Sequence, residues 1–190
     1  MTADVRIIDM PDDEVRVRQA AEVLWAAFRE NWPNAWPDLN DAIAEVREMR
    51  DPNRICRAAL LAGAIVGWIG GMPEYDGNVW ELHPLAVHPD MQGRGIGREL
   101  VIDFERKVTE RGALTIVLGT DDESGMTSLS AVNLYENLPD RLAHVENLRG
   151  HPFGFYERLG FTVVGVVPDA NGRGKPDICM AKACGARGCP

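Results

Sequence analysis

The segment from Val79 to Glu110 constrains this chain most. An apolar run that reads as a strand, Val79–Val87, leads through His88-Pro89 into Gln92-Gly93-Arg94-Gly95-Ile96-Gly97. That loop opens into a stretch with Ile96, Leu100, Val101, Phe104 and Val108 on one helical stripe, stopped by Arg111-Gly112. A glycine loop between a strand and the first turn of a long helix is an anion nest. First-turn N–H groups have no intrahelical partner and carry the positive end of the helix dipole. Glycines at 93, 95 and 97 permit close backbone approach and positive φ, and Arg94 and Arg98 add charge. Two other phosphate loops are excluded. The dinucleotide fingerprint needs G-x-G-x-x-G and a later acidic residue, and a P-loop needs Gly-Lys-Ser/Thr. Taken alone, the loop says only that phosphate binds.

The rest of the chain alternates strands and helices. Val5–Ile8 reads as a strand, and Val15–Glu30 as a helix with Val17, Ala20, Ala21, Leu24 and Phe28 at helical spacing. A loop over Asn31–Leu39 precedes a second helix, about Asn40–Met49, ended by Asp51-Pro52. Ile55–Leu61 and Ile65–Met72 flank Ala62-Gly63 as a hairpin, and the Asp76-Gly77 turn makes Val79–Val87 a third consecutive antiparallel strand. After a strand at Thr115–Leu118, the polar segment Gly119–Gly150 offers a helix near Ser130–Asn137. Pro152–Leu159 reads as a short helix stopped at Gly160, followed by strands Phe161–Val167 and Ile178–Lys182 around a turn at Asn171–Gly174. This order predicts an α/β fold with a mixed sheet in one domain over residues 1–183, followed by a disordered tail over residues 184–190.

With 190 residues, 45% of them hydrophobic, the chain can bury the core of one domain. No apolar run is long enough to cross a membrane, and Met-Thr-Ala-Asp-Val-Arg lacks the apolar stretch of a signal peptide, so a cytoplasmic protein is expected. A net charge of −9 makes nucleic acid a poor partner and permits a cationic ligand without pointing to one. Cys56, Cys179, Cys184 and Cys189 lack zinc-site spacing and read as free thiols, with a Cys184–Cys189 redox pair as the alternative; no metal is expected.

Leu85-Ala86-Val87-His88-Pro89 running into Gln-Gly-Arg-Gly-Ile-Gly resembles the acetyl-CoA motif of the GNAT superfamily of N-acetyltransferases. Phe155-Tyr156-Glu157-Arg158-Leu159-Gly160-Phe161 resembles that superfamily's later tyrosine helix. A closer similarity spans roughly residues 20–182. Trp80–Leu85, Leu118–Asp122, Asn147–Arg149 with His151-Pro152, and Gly174–Ile178 with Met180–Lys182 look like the aminoglycoside 6'-N-acetyltransferases of the dimeric, chromosomally encoded enterococcal type. The segment around Trp32–Asn40 is slightly longer here.

Alternation along Val79–Val87 places Glu81, His83, Leu85 and Val87 on one face and Trp80, Leu82 and Ala86 on the other. Pro84 cannot donate to a ladder and favours a bulge or an edge. The resemblance implies a GNAT fold with helices on both faces of a mostly antiparallel sheet, which splays beside this strand to admit the pantetheine arm of acetyl-CoA. It implies cofactor contacts from Leu85, Ala86, Val87, Gln92, Gly93, Arg94, Gly95, Ile96, Gly97, Arg98 and Tyr156, with the amide near Leu85 facing the thioester oxygen. Glu81 is the candidate base or amine anchor, and Tyr156 the candidate acid for the leaving thiolate. His83 is a further candidate for the chemistry, though a lone histidine is more often structural. Trp32, Tyr75, Glu81, Asp121 and Asp122 are the candidate acceptor contacts, since a polycation wants carboxylates and flat faces. From spacing alone each of these acids is equally a solvated residue. The implied reaction is direct acetyl transfer to the 6'-amine of an aminoglycoside by a homodimer, an antibiotic-resistance activity. A polyamine, small amine or protein N-terminus as acceptor, and an idle acyl-CoA-binding module, are the alternatives.

Overall fold

The strand Ala64–Glu74 (β3) organises the first part of the chain because its two faces are cut for helices. In the computed structural model, which describes residues 5–185, Trp68 is fully buried and its Nε1 donates to Ala20 O of helix α1 (Glu14–Phe28) at 3.0 Å. On the same face Gly70 has no side chain. A Cβ there would lie 2.6 Å from His83 O and 2.8 Å from Met49 Sδ, at the end of helix α2 (Leu39–Glu48). On the opposite face a Cβ at Gly71 would fall into the Phe104 ring of helix α3 (Ile96–Glu110). Helices therefore cover both faces, as expected.

Around β3 the strands β1 (Arg6–Asp9), β2 (Ile55–Leu61) and β4 (Val79–Val87) form an antiparallel run in the order β1-β2-β3-β4. Ala62 and Gly63, both at positive φ, make the tight hairpin turn between β2 and β3. The β2–β3–β4 meander is thus as the turn residues predicted. Helix starts follow from side-chain caps. Asp13 accepts from Arg16 N at 3.0 Å, and Asp38 from Asn40 N at 2.7 Å and Asp41 N at 3.2 Å, each cap contributing about 1 kcal/mol. The stripe of α3 is buried at Ile96, Leu100, Val101, Phe104 and Val108, and each such side chain contributes roughly 1.5–3 kcal/mol.

The described residues pack as two compact units. The first runs to Leu114 and takes back Cys184, whose N donates to Leu114 O at 3.0 Å; the second is Thr115–Ala183. Cys184 is therefore anchored and not loose tail. Residues 186–190, with Cys189 and the Cys184–Cys189 pair, lie outside the described residues. Within the second unit β5 (Thr115–Asp121), β7 (Asp177–Ala183) and β6 (Thr162–Val167) pair antiparallel with β7 in the middle. β5 runs three residues beyond the expected Leu118, as its ladder with β7 continues to the pair Asp121–Asp177.

The expected helix near Ser130–Asn137 is not there. Ala131 and Asn137 both adopt positive φ, which no α-helix tolerates. Helix α4 instead covers Leu138–Ala143, with Asn137 as its cap and proline in its first turn. Helix α5 is Phe153–Glu157. Among the described residues no helix is long and apolar enough to cross a membrane.

Candidate active site

The glycine loop has the predicted left-handed geometry at Gly93 and Gly95, whereas Gly97 lies inside the first turn of α3. After β4, Pro89–Met91 forms one 3-10 turn, and Gly93 and Gly95 sit at φ 72° and 83°. A Cβ at either would meet nothing within 4 Å, so backbone conformation and not crowding demands glycine. Gly95 is the N-cap of α3 and gives it no side-chain cap. The first helical bond is Glu99 N to Gly95 O at 3.0 Å, so the amides of Ile96, Gly97 and Arg98 lie ahead of the helix's own ladder. Gln92 Nε2 donates to Val87 O at 3.1 Å, and Arg94 Nη2 to Asp90 O at 3.1 Å, folding both side chains back on the turn. Arg98 is exposed beside Glu99 at 2.7 Å. An exposed first turn with two left-handed glycines and two arginines fits a pyrophosphate.

Burial alternates along β4, with Trp80, Leu82, Pro84 and Ala86 buried and Glu81, His83, Leu85 and Val87 partly exposed. The expected faces are not kept: Glu81 and Ala86 pair Met72 and Trp68 on the α1–α2 side, whereas Leu82, Leu85 and Val87 pair Gly71, Ile69 and Gly67 on the α3 side. The bulge expected of Pro84 is present. Ile69 pairs Leu85 and Gly71 pairs Leu82, so the single residue Gly70 faces both His83 and Pro84. His88 N donates to Val66 O at 2.9 Å. Alternation from that bond commits the Ala86 amide to β3 and aims those of Leu85 and Val87 away from it. Ala86, expected to offer an amide to the cofactor, therefore spends it inside the sheet.

Around His83 the structure gathers residues that sequence spacing did not single out. Trp36, buried in the α1–α2 connection, lies with its ring 5.8 Å from the imidazole at 34°. Phe28 supports Trp36 edge-on at 4.8 Å and meets Trp32 at 5.6 Å. Glu45 of α2 brings Oε1 to 3.7 Å from His83 Nε2. Trp36 is one of two tryptophans in the loop Asn31–Leu39, and nothing in the sequence marked Glu45. Tyr75, an expected acceptor contact, is 77% exposed at the turn after β3, and Trp32 is half-buried.

In the second unit the two neighbouring aspartates have opposite environments. Asp121 is partly exposed; its Oδ1 accepts from Asn171 Nδ2, and its main-chain O receives His151 Nε2 at 3.1 Å. Asp122 is fully buried. Its Oδ1 accepts from Met126 N at 2.7 Å and its Oδ2 from Thr127 N and Thr127 Oγ1, both at 2.8 Å. Both Asp122 oxygens are committed to building the loop, which corrects its expected role as a contact for an acceptor. His151 is buried, and burial lowers its pKa. Its Nδ1 accepts from Phe153 N at 3.2 Å, so Nε2 carries the proton given to Asp121 O. Tyr156 is buried between Phe155 and Phe161, at 5.1 Å and 5.6 Å, and burial pushes its phenol above the ordinary range. Burial also pushes the Cys56 thiol up to about 12 and raises that of Cys179, which leaves both poor nucleophiles.

Residues 17–138 match the acetyltransferase (GNAT) family model, and the chain belongs to this family. Among solved structures, the chain is similar to an aminoglycoside 6'-N-acetyltransferase complexed with coenzyme A. Identity there is 42%, coverage 97% of this chain and 99% of the other, and the TM-score 0.90. The aminoglycoside 6'-N-acetyltransferase from Enterococcus faecium is likewise 42% identical, over 97% and 99% of the two chains, with a TM-score of 0.87. Among curated proteins, an acetyltransferase of Photorhabdus laumondii is 31% identical over 91 residues, 48% of this chain and 62% of the relative. The chain spans about half to three-fifths of the length of the curated relatives it matches. The α/β GNAT fold expected from the two motifs is the fold observed.

Proposed function

We propose that this chain transfers the acetyl group of acetyl-CoA to the 6'-amino group of an aminoglycoside, by direct transfer in a ternary complex. The observation that carries this is the likeness to aminoglycoside 6'-N-acetyltransferases at 42% identity over 97% of the chain. Bound acetyl-CoA supplies a thioester with an electrophilic carbonyl carbon. The loop Gln92–Gly97 and Arg98 hold its phosphates, using the left-handed glycines and the open first turn of α3. The Leu85 amide, aimed away from β3, stabilises charge on the carbonyl oxygen, and the Val87 amide holds the pantetheine arm. Glu81, on the His83 side of β4 and opposite to Leu85, anchors the acceptor ammonium or takes its proton. Tyr156 stays protonated at neutral pH and can deliver a proton to the departing sulfur. Trp32, Tyr75 and Asp121 offer flat faces and a carboxylate to a polycation, and Asp122 holds the loop after Asp121. A cytoplasmic homodimer that confers antibiotic resistance belongs to the same reading.

An acceptor screen tests it. Thiol release from acetyl-CoA is expected with kanamycin and not with spermidine or N-terminal peptides, and NMR of the product should place the acetyl group on the 6'-nitrogen. No turnover with any 6'-amino aminoglycoside overturns the assignment. Glu81→Gln and Tyr156→Phe are each expected to lower kcat/KM by roughly 100-fold. Unchanged values would remove those two residues from the chemistry.

A further inference from the structure

Glu45 has no part in the reaction outlined above, yet it is the carboxylate that the fold carries to His83. Because Gly70 lacks a Cβ, Met49 settles against β3 where His83 and Pro84 bulge from β4. Glu45 lies one helical turn before Met49 and so on the same side of α2. Its side chain is only 19% exposed, with Oε1 3.7 Å from His83 Nε2. Trp36 backs the imidazole at 5.8 Å and is itself wedged by Phe28. The ring is thus held by a flat support on one side and a carboxylate at one nitrogen. Glu81 is the other charged group on this face of β4, two residues away. Trp36, Gly70 and Met72 bring no charge, Asp41 is exposed a turn before Glu45, and Arg50 is engaged by Asp12.

We propose that Glu45 is a positioning residue that holds the Nε2–H tautomer of His83, leaving the Nδ1 lone pair to take the proton released by the acceptor ammonium. This rests on the reading that an amine is acetylated beside this face of β4. In the step, one N–H bond of the ammonium breaks and its electron pair stays on nitrogen as the nucleophile. A new Nδ1–H bond forms on His83, Glu45 offsets the imidazolium charge, and the proton then passes to water. Glu81 in this scheme anchors the ammonium. At 3.7 Å the contact is an ion-pair distance and not a hydrogen bond, so Glu45 acts on the ring through its charge.

The test uses the full chain with Glu45→Gln, which keeps the shape and removes the charge, and His83→Gln to assign the His83 imidazole resonance. Two readouts are compared: kcat and KM in the transfer reaction, and the ring 15N shifts of His83, which report its tautomer. In Glu45→Gln the ring 15N shifts of His83 are expected to move from the Nε2–H pattern to a mixture of the two tautomers. The kcat should fall about tenfold, with KM for acetyl-CoA unchanged. A lower kcat with unchanged His83 ring 15N shifts means that Glu45 only packs, and overturns the proposal while leaving the function intact. A wild-type chain that acetylates no amine overturns the function reading and this proposal with it.

Discussion

The loop Gln92–Gly97 and the segment between Asp121 and Arg149 are both irregular, but they are irregular for different reasons. In the first, every determinant lies within about a turn of the residue it acts on. Gly93 and Gly95 set φ, Gln92 and Arg94 bond to main-chain oxygens five and four residues back, and Glu99 N returns to Gly95 O. In the second, shape comes largely from side chains reaching main chain far along the sequence. Arg149 Nη2 donates to Ser124 O at 2.7 Å, Glu146 N to Ser128 Oγ at 2.9 Å, and Ser130 Oγ to Gly174 O at 3.0 Å. A loop of the first kind is a local property that can be read as a motif. A loop of the second kind exists only when the segments that satisfy it have arrived.

Four substitutions or conditions would break or sharpen that contrast. The largest effect is expected from Gly95→Asp, which forces a side chain into φ 83° and sets a negative charge at the helix N-terminus facing the phosphates. Affinity for coenzyme A by calorimetry should fall more than about 100-fold, roughly 3 kcal/mol, with the fold retained. Global unfolding by this one change would show that the loop is not locally determined. Next, Asp122→Ala strands the Met126 and Thr127 amides, and urea unfolding should report a loss of about 3 kcal/mol. A loss under about 1 kcal/mol would mean that the segment does not depend on its buried carboxylate. Gly119→Ala is a milder probe of the same unit. The new Cβ falls 2.6 Å from Asp177 Oδ2, and the expected cost is about 1–3 kcal/mol in the same assay.

The smallest effect is a pH dependence. Burial depresses the His151 pKa below its ordinary value of 6.5, so the unfolded chain binds more protons than the folded one. The stability linked to this group is full above pH 6.5 and is lost as pH falls towards the folded-state value. Unfolding free energy should drop between about pH 7.5 and about pH 5.5, and drop less in His151→Gln. An identical drop in both proteins would mean that His151 is not the group responsible.

Much of the fold was legible because its signals are periodic or steric. The α3 stripe and the Ala62-Gly63 turn each follow from a few adjacent residues, and Pro84 announced the bulge that the β3–β4 register shows, though strict alternation missed that this bulge puts Glu81 and Leu85 on opposite faces. The helix expected near Ser130–Asn137 failed because Ala131 and Asn137 take positive φ, with Ala131 N held by Gly174 O from 43 positions away. Asp121 and Asp122 looked alike as carboxylates; burial and three donors distinguish them. Glu45 looked like any polar residue of an amphipathic helix until the missing Cβ of Gly70 was seen to admit Met49 against the bulge.

The sequence by itself determined the strand, the anion nest and the helix of Val79–Glu110, because left-handed glycines and an uncapped first turn act over a few residues. Only the tertiary structure decided which carboxylates are available for chemistry. Whether an acid is spent inside a loop, as Asp122 is, or turned toward an imidazole, as Glu45 is, depends on which distant segments cover it, and burial is a property of the packed chain.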